Sequence, residues 1–327
     1  MKALKTTLSL ALTLMAPLSF SFAGGGKAIY GDDDRLDLFA APPELRLLAD
    51  SVVSLWKMKD IEPADRGMRK LKTQKFGDKN GLCPDEKFRE QPVGAFCSGS
   101  LVGDDLVITA GHCIIDEAEC RRTGIVFGYA VKEDGGKASV VMPEKEVYGC
   151  AKILKRFLYG ESRVDTPPDR LYGADFALIR LNRKVTGHTP LEVDMGAGLR
   201  KGDGILVMGY PKGLPLKIAG GATVQDFNAD GDTDQLAPVL SYFTADLDIF
   251  RGNSGGPVFN AGTGLIEGIV ARKHDEDFTK TPAGCYTSSV YKQNSGGNDI
   301  TKISVLTNLL LELRGSASGK AAGNSVE

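Results

Sequence analysis

Ser254 lies in Gly252-Asn253-Ser254-Gly255-Gly256-Pro257, His112 in Thr109-Ala110-Gly111-His112-Cys113, and Asp175 opens the run Asp175-Phe176-Ala177-Leu178-Ile179-Arg180-Leu181. Hydrolysis of an amide through a covalent intermediate needs these residue types: a hydroxyl nucleophile, a base to take its proton, and an acid to hold the base. An imidazole with an ordinary pKa of about 6.5 takes and returns a proton near neutrality. The Asp175 carboxylate would accept from that imidazole and select its tautomer. Gly252 and Gly255 carry no side chain, so a substrate carbonyl can approach the backbone, and the N–H groups of Gly252 and Ser254 are the candidate oxyanion hole.

Taken singly, none of the three is distinctive. A glycine-rich turn bearing a serine is commonly structural, a histidine at a strand end is commonly a packed residue, and an aspartate before a strand is commonly a turn residue. The alternatives for the base are few, however. His188 lies in Thr186-Gly187-His188-Thr189-Pro190 and His274 in the charged loop from Arg272 to Asp277, both less well placed. The chain order His, Asp, Ser gives the set its weight. Gly252 to Gly256 also satisfies the Gly-x-Ser-x-Gly elbow of α/β-hydrolase esterases, but that fold needs the order Ser, Asp, His and a strand-turn-helix setting.

The elements around these residues read as β structure. From Gly94 onward, short apolar runs alternate with Gly and Asp: Ser100 to Val102, Leu106 to Thr109, Gly124 to Gly128 and Ser139 to Met142. After the Pro/Asp-rich break Asp165 to Asp169 the texture resumes at Phe176 to Leu181, Gly204 to Gly209, Val239 to Phe243, Pro257 to Phe259 and Leu265 to Ala271. Such runs predict antiparallel barrels or sandwiches, here two units joined by a linker. Ile300, Ile303, Leu306, Leu309, Leu310 and Leu313 fall at spacings of three and four, which predicts one amphipathic closing helix. The expected organisation is a signal peptide over 1–23, an N-terminal extension or pro-segment over 24–50, and a globular domain over 51–314. Within it, barrel one spans about 51–165, barrel two about 170–275 and the helix about 299–314, before a polar tail over 315–327.

Composition narrows the function classes. A formal net charge of −2 and a pI near 6.0 provide no basic face, so a nucleic-acid role is not expected. Lys2 and Lys5 precede an apolar stretch from Leu8 to Phe22 that closes on Ser21-Phe22-Ala23, the pattern of a cleaved secretory signal. The expected product is a protein with no stable membrane insertion, extracellular or periplasmic, working as a monomer. All six cysteines follow that site, where disulfides are the default. There is no Cys-x-x-Cys, and three histidines leave little for zinc. Asn228-Ala229-Asp230-Gly231-Asp232-Thr233-Asp234 alternates oxygen ligands as calcium would want. It lacks a glutamate at the twelfth position, so it is read as a solvated acidic turn, and no cofactor is expected.

In combination, Cys97-Ser98-Gly99-Ser100-Leu101-Val102 through Thr-Ala-Gly-His-Cys, then Asp-Phe-Ala-Leu-Ile-Arg-Leu, then Gly-Asn-Ser-Gly-Gly-Pro resembles the trypsin/chymotrypsin superfamily over roughly Val52 to Ala271. The resemblance implies an all-β fold of two antiparallel six-stranded β-barrels (chymotrypsin-like) with a C-terminal α-helix. It also implies a serine endopeptidase acting on polypeptide substrates, with His112, Asp175 and Ser254 as catalytic residues. Cys97 and Cys113 resemble the family's histidine-loop disulfide. The other four cysteines allow three connectivities, with a slight lean to Cys120–Cys150 and Cys83–Cys285.

Departures from the animal enzymes are equally informative. Asn253 stands where they have an aspartate that pairs with a freed N-terminal amine, and Phe250 has no cysteine beside it to form their disulfide near the nucleophile. Asn253, with Ala28 to Arg35, is more similar to bacterial glutamyl-endopeptidase-like secreted proteases. Asp248 occupies the place that resembles the pocket floor selecting Arg or Lys. Val270 stands where glutamyl endopeptidases carry a histidine, while Arg272 and Lys273 on the same wall could receive an acidic side chain. The expected substrate pocket is therefore Asp248 and Arg272. The readings kept beside the Arg/Lys-preferring protease are a glutamyl-specific one and a non-catalytic binding module on the same fold.

Overall fold

The computed structural model describes residues 30–158, 173–196, 198–227, 241–273, 276–293 and 297–313. The signal stretch, the break at Asp165 to Asp169, the Asn228 to Asp234 loop, His274 and the polar tail lie outside the described residues.

Six strands form the first barrel: β1 (Val52–Lys57), β2 (Cys97–Gly103), β3 (Leu106–Thr109), β4 (Thr123–Val126), β5 (Val147–Leu158) and β6 (Asp175–Leu181). They close antiparallel in the order β5-β6-β3-β2-β1-β4. The second barrel comprises β7 (Gly204–Gly209), β8 (Lys217–Asp226), β9 (Tyr242–Ala245), β10 (Pro257–Asn260), β11 (Ile266–Arg272) and β12 (Asn298–Lys302). Its order is β8-β7-β10-β11-β12-β9, closed by pairing of β8 with β9. A helix over 307–313 follows, after a 3₁₀ turn at Ile303–Val305. No helix among the described residues is long and apolar enough to cross a membrane.

The apolar runs are continuous rather than alternating because both faces of the strands are buried. Val107, Ala177 and Ile179 point into the first barrel, whereas Ile108, Phe176 and Leu178 join a core shared with the second. The same division holds across the seam, where Ile205 and Val207 fill the second barrel and Leu206 and Met208 face the first. A period of two with an apolar residue in every position produces this pattern. Trp56, Tyr129 and Tyr210 form a run through the shared core, with ring centroids 5.1 Å and 6.0 Å apart. The Tyr210 hydroxyl donates to the Val52 carbonyl of the first barrel at 2.9 Å, so even its polar end is satisfied across the seam.

Three boundaries differ from the sequence reading. Asp175–Leu181 belongs to the first barrel, paired with β5 and β3, so that barrel extends to Leu181 and the link between barrels is 182–203. The Pro/Asp-rich break thus falls between two strands that pair with each other. Asn298–Lys302, expected as the start of the closing helix, is a central strand of the second barrel. The three-residue spacing of Ile300 and Ile303 fits a helical period, but β9 and β11 offer hydrogen-bond partners on both sides, and the helix begins only at 307. Finally, residues 30–50, read as part of an N-terminal extension or pro-segment, pack onto the domain expected to begin at 51. Leu36–Asp37 pairs with β8, and Pro43–Ala49 forms a helix whose Leu45 is fully buried in the shared core.

The six cysteines pair as Cys97–Cys113, Cys120–Cys150 and Cys83–Cys285. The last joins residues 202 apart and ties the chain before β2 to the loop before β12.

Candidate active site

The histidine and the aspartate meet because neighbouring strands end at the same rim. Strand β3 terminates at Thr109 and β6 begins at Asp175, and the two run antiparallel with Ala177 opposite Thr109. His112 follows β3 by one turn and Asp175 lies just beyond the last β3 pair. The His112 Nδ1 stands 2.6 Å from Asp175 Oδ2, and the His112 backbone N–H donates to Oδ1 at 3.1 Å. Asp175 is buried, while the His112 side chain keeps 38% of its surface exposed. One ring nitrogen is thereby fixed against a carboxylate while the ring remains reachable from solvent.

Ser254 comes from the second barrel, in the turn before β10, and that turn is wedged against the first barrel. Ser98 N–H on β2 donates to the Ser254 carbonyl at 2.8 Å, and the same carbonyl lies 3.7 Å from Cys113 Sγ, beside His112. The Ser98 hydroxyl donates to the Gly252 carbonyl at 2.8 Å and accepts from Tyr210 N–H at 2.9 Å. Gly255 explains why this turn needs glycine. At φ +83° a Cβ there would stand 2.2 Å from Thr109 Oγ1 and 2.3 Å from the Ser98 carbonyl. Only a bare backbone lets the turn approach the strand that leads to His112.

The turn also sorts its N–H groups. Those of Asn253, Gly255 and Gly256 donate to Phe250, Val270 and Asn253 carbonyls. Among the described residues, those of Gly252 and Ser254 have no protein acceptor. These are the two N–H groups that the sequence nominates for an oxyanion.

The two residues read as the specificity pocket are engaged within the fold. Asp248 is buried and accepts the Tyr30 N–H at 3.0 Å through Oδ1, while its Oδ2 is buried without a hydrogen-bond partner among the described residues. Burial pushes Asp248 well above the usual carboxylate range and Asp34 up to about 7. Tyr30 thus closes over Asp248, and the Asn253 side chain is buried beside Gly209. Arg272 donates through Nε to Asp299 Oδ2 at 3.0 Å and through Nη2 to the Gly173 carbonyl, away from Asp248. Phe250, where a paired cysteine is absent, carries the buried Arg35 guanidinium over its ring at 4.4 Å.

His188 plays a different part. Its ring is stacked on Phe127 and bonded to Asp50 and Glu146 at 2.8 Å and 2.7 Å, with no hydroxyl nucleophile in the set. Cys97, His112 and Cys113 lie close enough to hold a metal, but both sulfurs are taken up by the disulfide. Sequence reasoning missed Ser98, Asp34, Asp299 and Thr301. The last donates to the Asp175 carbonyl at 3.1 Å and accepts from its N–H at 2.9 Å, but was hidden inside a stretch that reads as helix.

Comparison with curated protein sequences returns no match. Among solved structures, the chain resembles the VesB protease of Vibrio cholerae at a TM-score of 0.50 and 17% identity, covering 84% of this chain and 65% of that one. It therefore spans about two thirds of that relative's length. It also resembles mouse neuropsin, a serine protease expressed in the limbic system, at 0.51 and 16% identity, covering 82% and 96%. At such identities the likeness speaks for the fold of two β-barrels. The family model for the trypsin-like peptidase domain matches residues 97–269, which hold His112, Asp175 and Ser254. The chain belongs to the trypsin-like peptidase domain family.

Proposed function

We propose that this protein is a secreted, monomeric serine endopeptidase, of the bacterial glutamyl-endopeptidase-like branch, that cleaves polypeptides through an acyl-enzyme. The observation that carries the reading is the 2.6 Å contact of His112 Nδ1 with buried Asp175. It leaves Nε2 as the nitrogen that accepts the Ser254 proton when Oγ attacks the scissile carbonyl. The tetrahedral oxyanion is received by the N–H groups of Gly252 and Ser254. His112 then protonates the leaving amine, and water repeats the sequence on the acyl-enzyme. Asp175 stays ionised throughout and stabilises the imidazolium.

A fluorophosphonate probe should label the wild-type protein at Ser254 and leave Ser254→Ala unlabelled. A purified, folded protein that neither takes the probe nor cuts a peptide library would favour the non-catalytic module. For the residue before the cut, Asp248 is buried beneath Tyr30 and presents no open carboxylate to a cationic side chain, so profiling a peptide library should show no dominant preference for Arg or Lys. A dominant Arg or Lys preference would restore Asp248 as selector, and a dominant Glu preference would support the glutamyl-specific reading.

A further inference from the structure

Asp175 sits at the start of its strand, beyond the last residue that pairs with β3, and its carboxylate must stay within hydrogen-bond distance of His112. On one side it has a neighbour in β5, where Leu158 is its partner. On the other side the restraint comes from the second barrel. Thr301 on β12, fully buried, accepts the Asp175 N–H at 2.9 Å and donates to the Asp175 carbonyl at 3.1 Å. Two residues earlier, the Gly173 carbonyl accepts from Arg272 Nη2 on β11. The same guanidinium is held through Nε by Asp299 at 3.0 Å, and Asp299 is buried and stands directly opposite Arg272 in the β11–β12 register.

From this geometry we infer that Arg272 and Asp299 are positioning residues for the catalytic acid: they clamp the Gly173–Asp175 backbone to the second barrel so that His112 keeps its orientation toward Ser254. The inference rests on the triad reading above. It reassigns Arg272, which the sequence places on the substrate-pocket wall. A guanidinium whose Nε and Nη2 are both bonded, and whose Nη1 is buried, offers no open nitrogen to an acidic substrate side chain. The planar fork matters because one rigid group must reach a carboxylate and a carbonyl at once, which a lysine cannot do.

The test compares wild type with Arg272→Lys and Asp299→Asn by steady-state kinetics, the pH profile of kcat/KM, and the fluorophosphonate-titrated active-site concentration. Both variants should lose on the order of 10- to 100-fold in kcat, the cost of misplacing a catalytic group by about an ångström. KM should stay within about twofold and the titratable sites should remain. The acid limb of the profile should shift, because His112 loses part of its carboxylate contact. Asp299→Glu, which can re-form the bond to Arg272, should recover part of the rate. A rise confined to KM for substrates with acidic side chains would overturn the clamp and restore the pocket assignment. An unshifted profile with a lowered Tm alone would overturn it too, leaving a purely structural pair. Absence of probe labelling in the wild type is a different result, since it would remove the triad reading itself.

Discussion

At the scale of single residues, the candidate site depends on burial being unequal across the triad. Asp175 is almost completely enclosed, whereas the His112 ring is partly exposed. Replacing Asp175 by Asn should leave the fold intact and lower kcat by roughly 10⁴-fold, since an amide reverses the tautomer that His112 must hold. Steady-state kinetics alongside circular dichroism checks this, and a loss of less than tenfold with native spectra would remove Asp175 from the role. Gly255 makes a complementary case for backbone. Gly255→Ala forces a methyl into Thr109 Oγ1 and the Ser98 carbonyl at a positive φ. Overpacking of this kind costs about 1–3 kcal/mol, to be read from denaturant midpoints.

At the scale of elements, the N-terminal segment is the part whose behaviour should depend most on pH. It is threaded along the second barrel by buried polar contacts. Lys217 on β8 reaches Asp37 at 2.6 Å, Asp248 accepts the Tyr30 N–H at 3.0 Å, and the carboxyls of Asp34 and Asp248 lie close enough to influence each other. Burial raises Asp34 from 3.8 to about 7, so the folded state holds this proton more tightly than the unfolded chain. The stability tied to that proton is full below the unfolded value and is lost as pH rises through about 7. Glu267, also raised to about 7 by burial, works in the same direction. Denaturant midpoints should therefore fall between about pH 5 and about pH 8, and fall less in Asp34→Asn, whose amide mimics the protonated form. Equal slopes in the two proteins would mean that the segment is not held by this pair.

At the scale of the whole molecule, the candidate catalytic groups come from two barrels, so whatever keeps the barrels together keeps the site together. The shared aromatic core does most of this, with the Ser98, Tyr210 and Thr301 hydrogen bonds aligning the seam. The Cys83–Cys285 bridge acts at longer range by closing a loop between residues 202 apart. Replacing both cysteines by Ser should cost about 2–5 kcal/mol, visible as a lower Tm, with kcat/KM of the remaining folded protein little changed. A variant of unaltered Tm would show that the barrel cores alone suffice.

Much of this was legible in the residues themselves. The triad could be named because nucleophile, base and acid each sit in short motifs whose chemistry is local, and most barrel strands announced themselves as apolar runs between turn residues. Strand β5 did not, because two register shifts interrupt its alternation, and β8 did not, because Lys217–Asp226 is rich in Gly and Ala. Strand β12 was misread because helical spacing and a doubly paired strand cannot be told apart in five residues. The sequence by itself determined which side chains could do the chemistry and that two β units would present them. Only the tertiary structure decided that Asp175 belongs to the barrel of His112, that Asp248 lies closed beneath Tyr30 and Asp34, and that Arg272 turns toward Gly173. Those outcomes depend on which strands pair and which charges are buried together, contacts between residues up to 218 apart that no local pattern encodes.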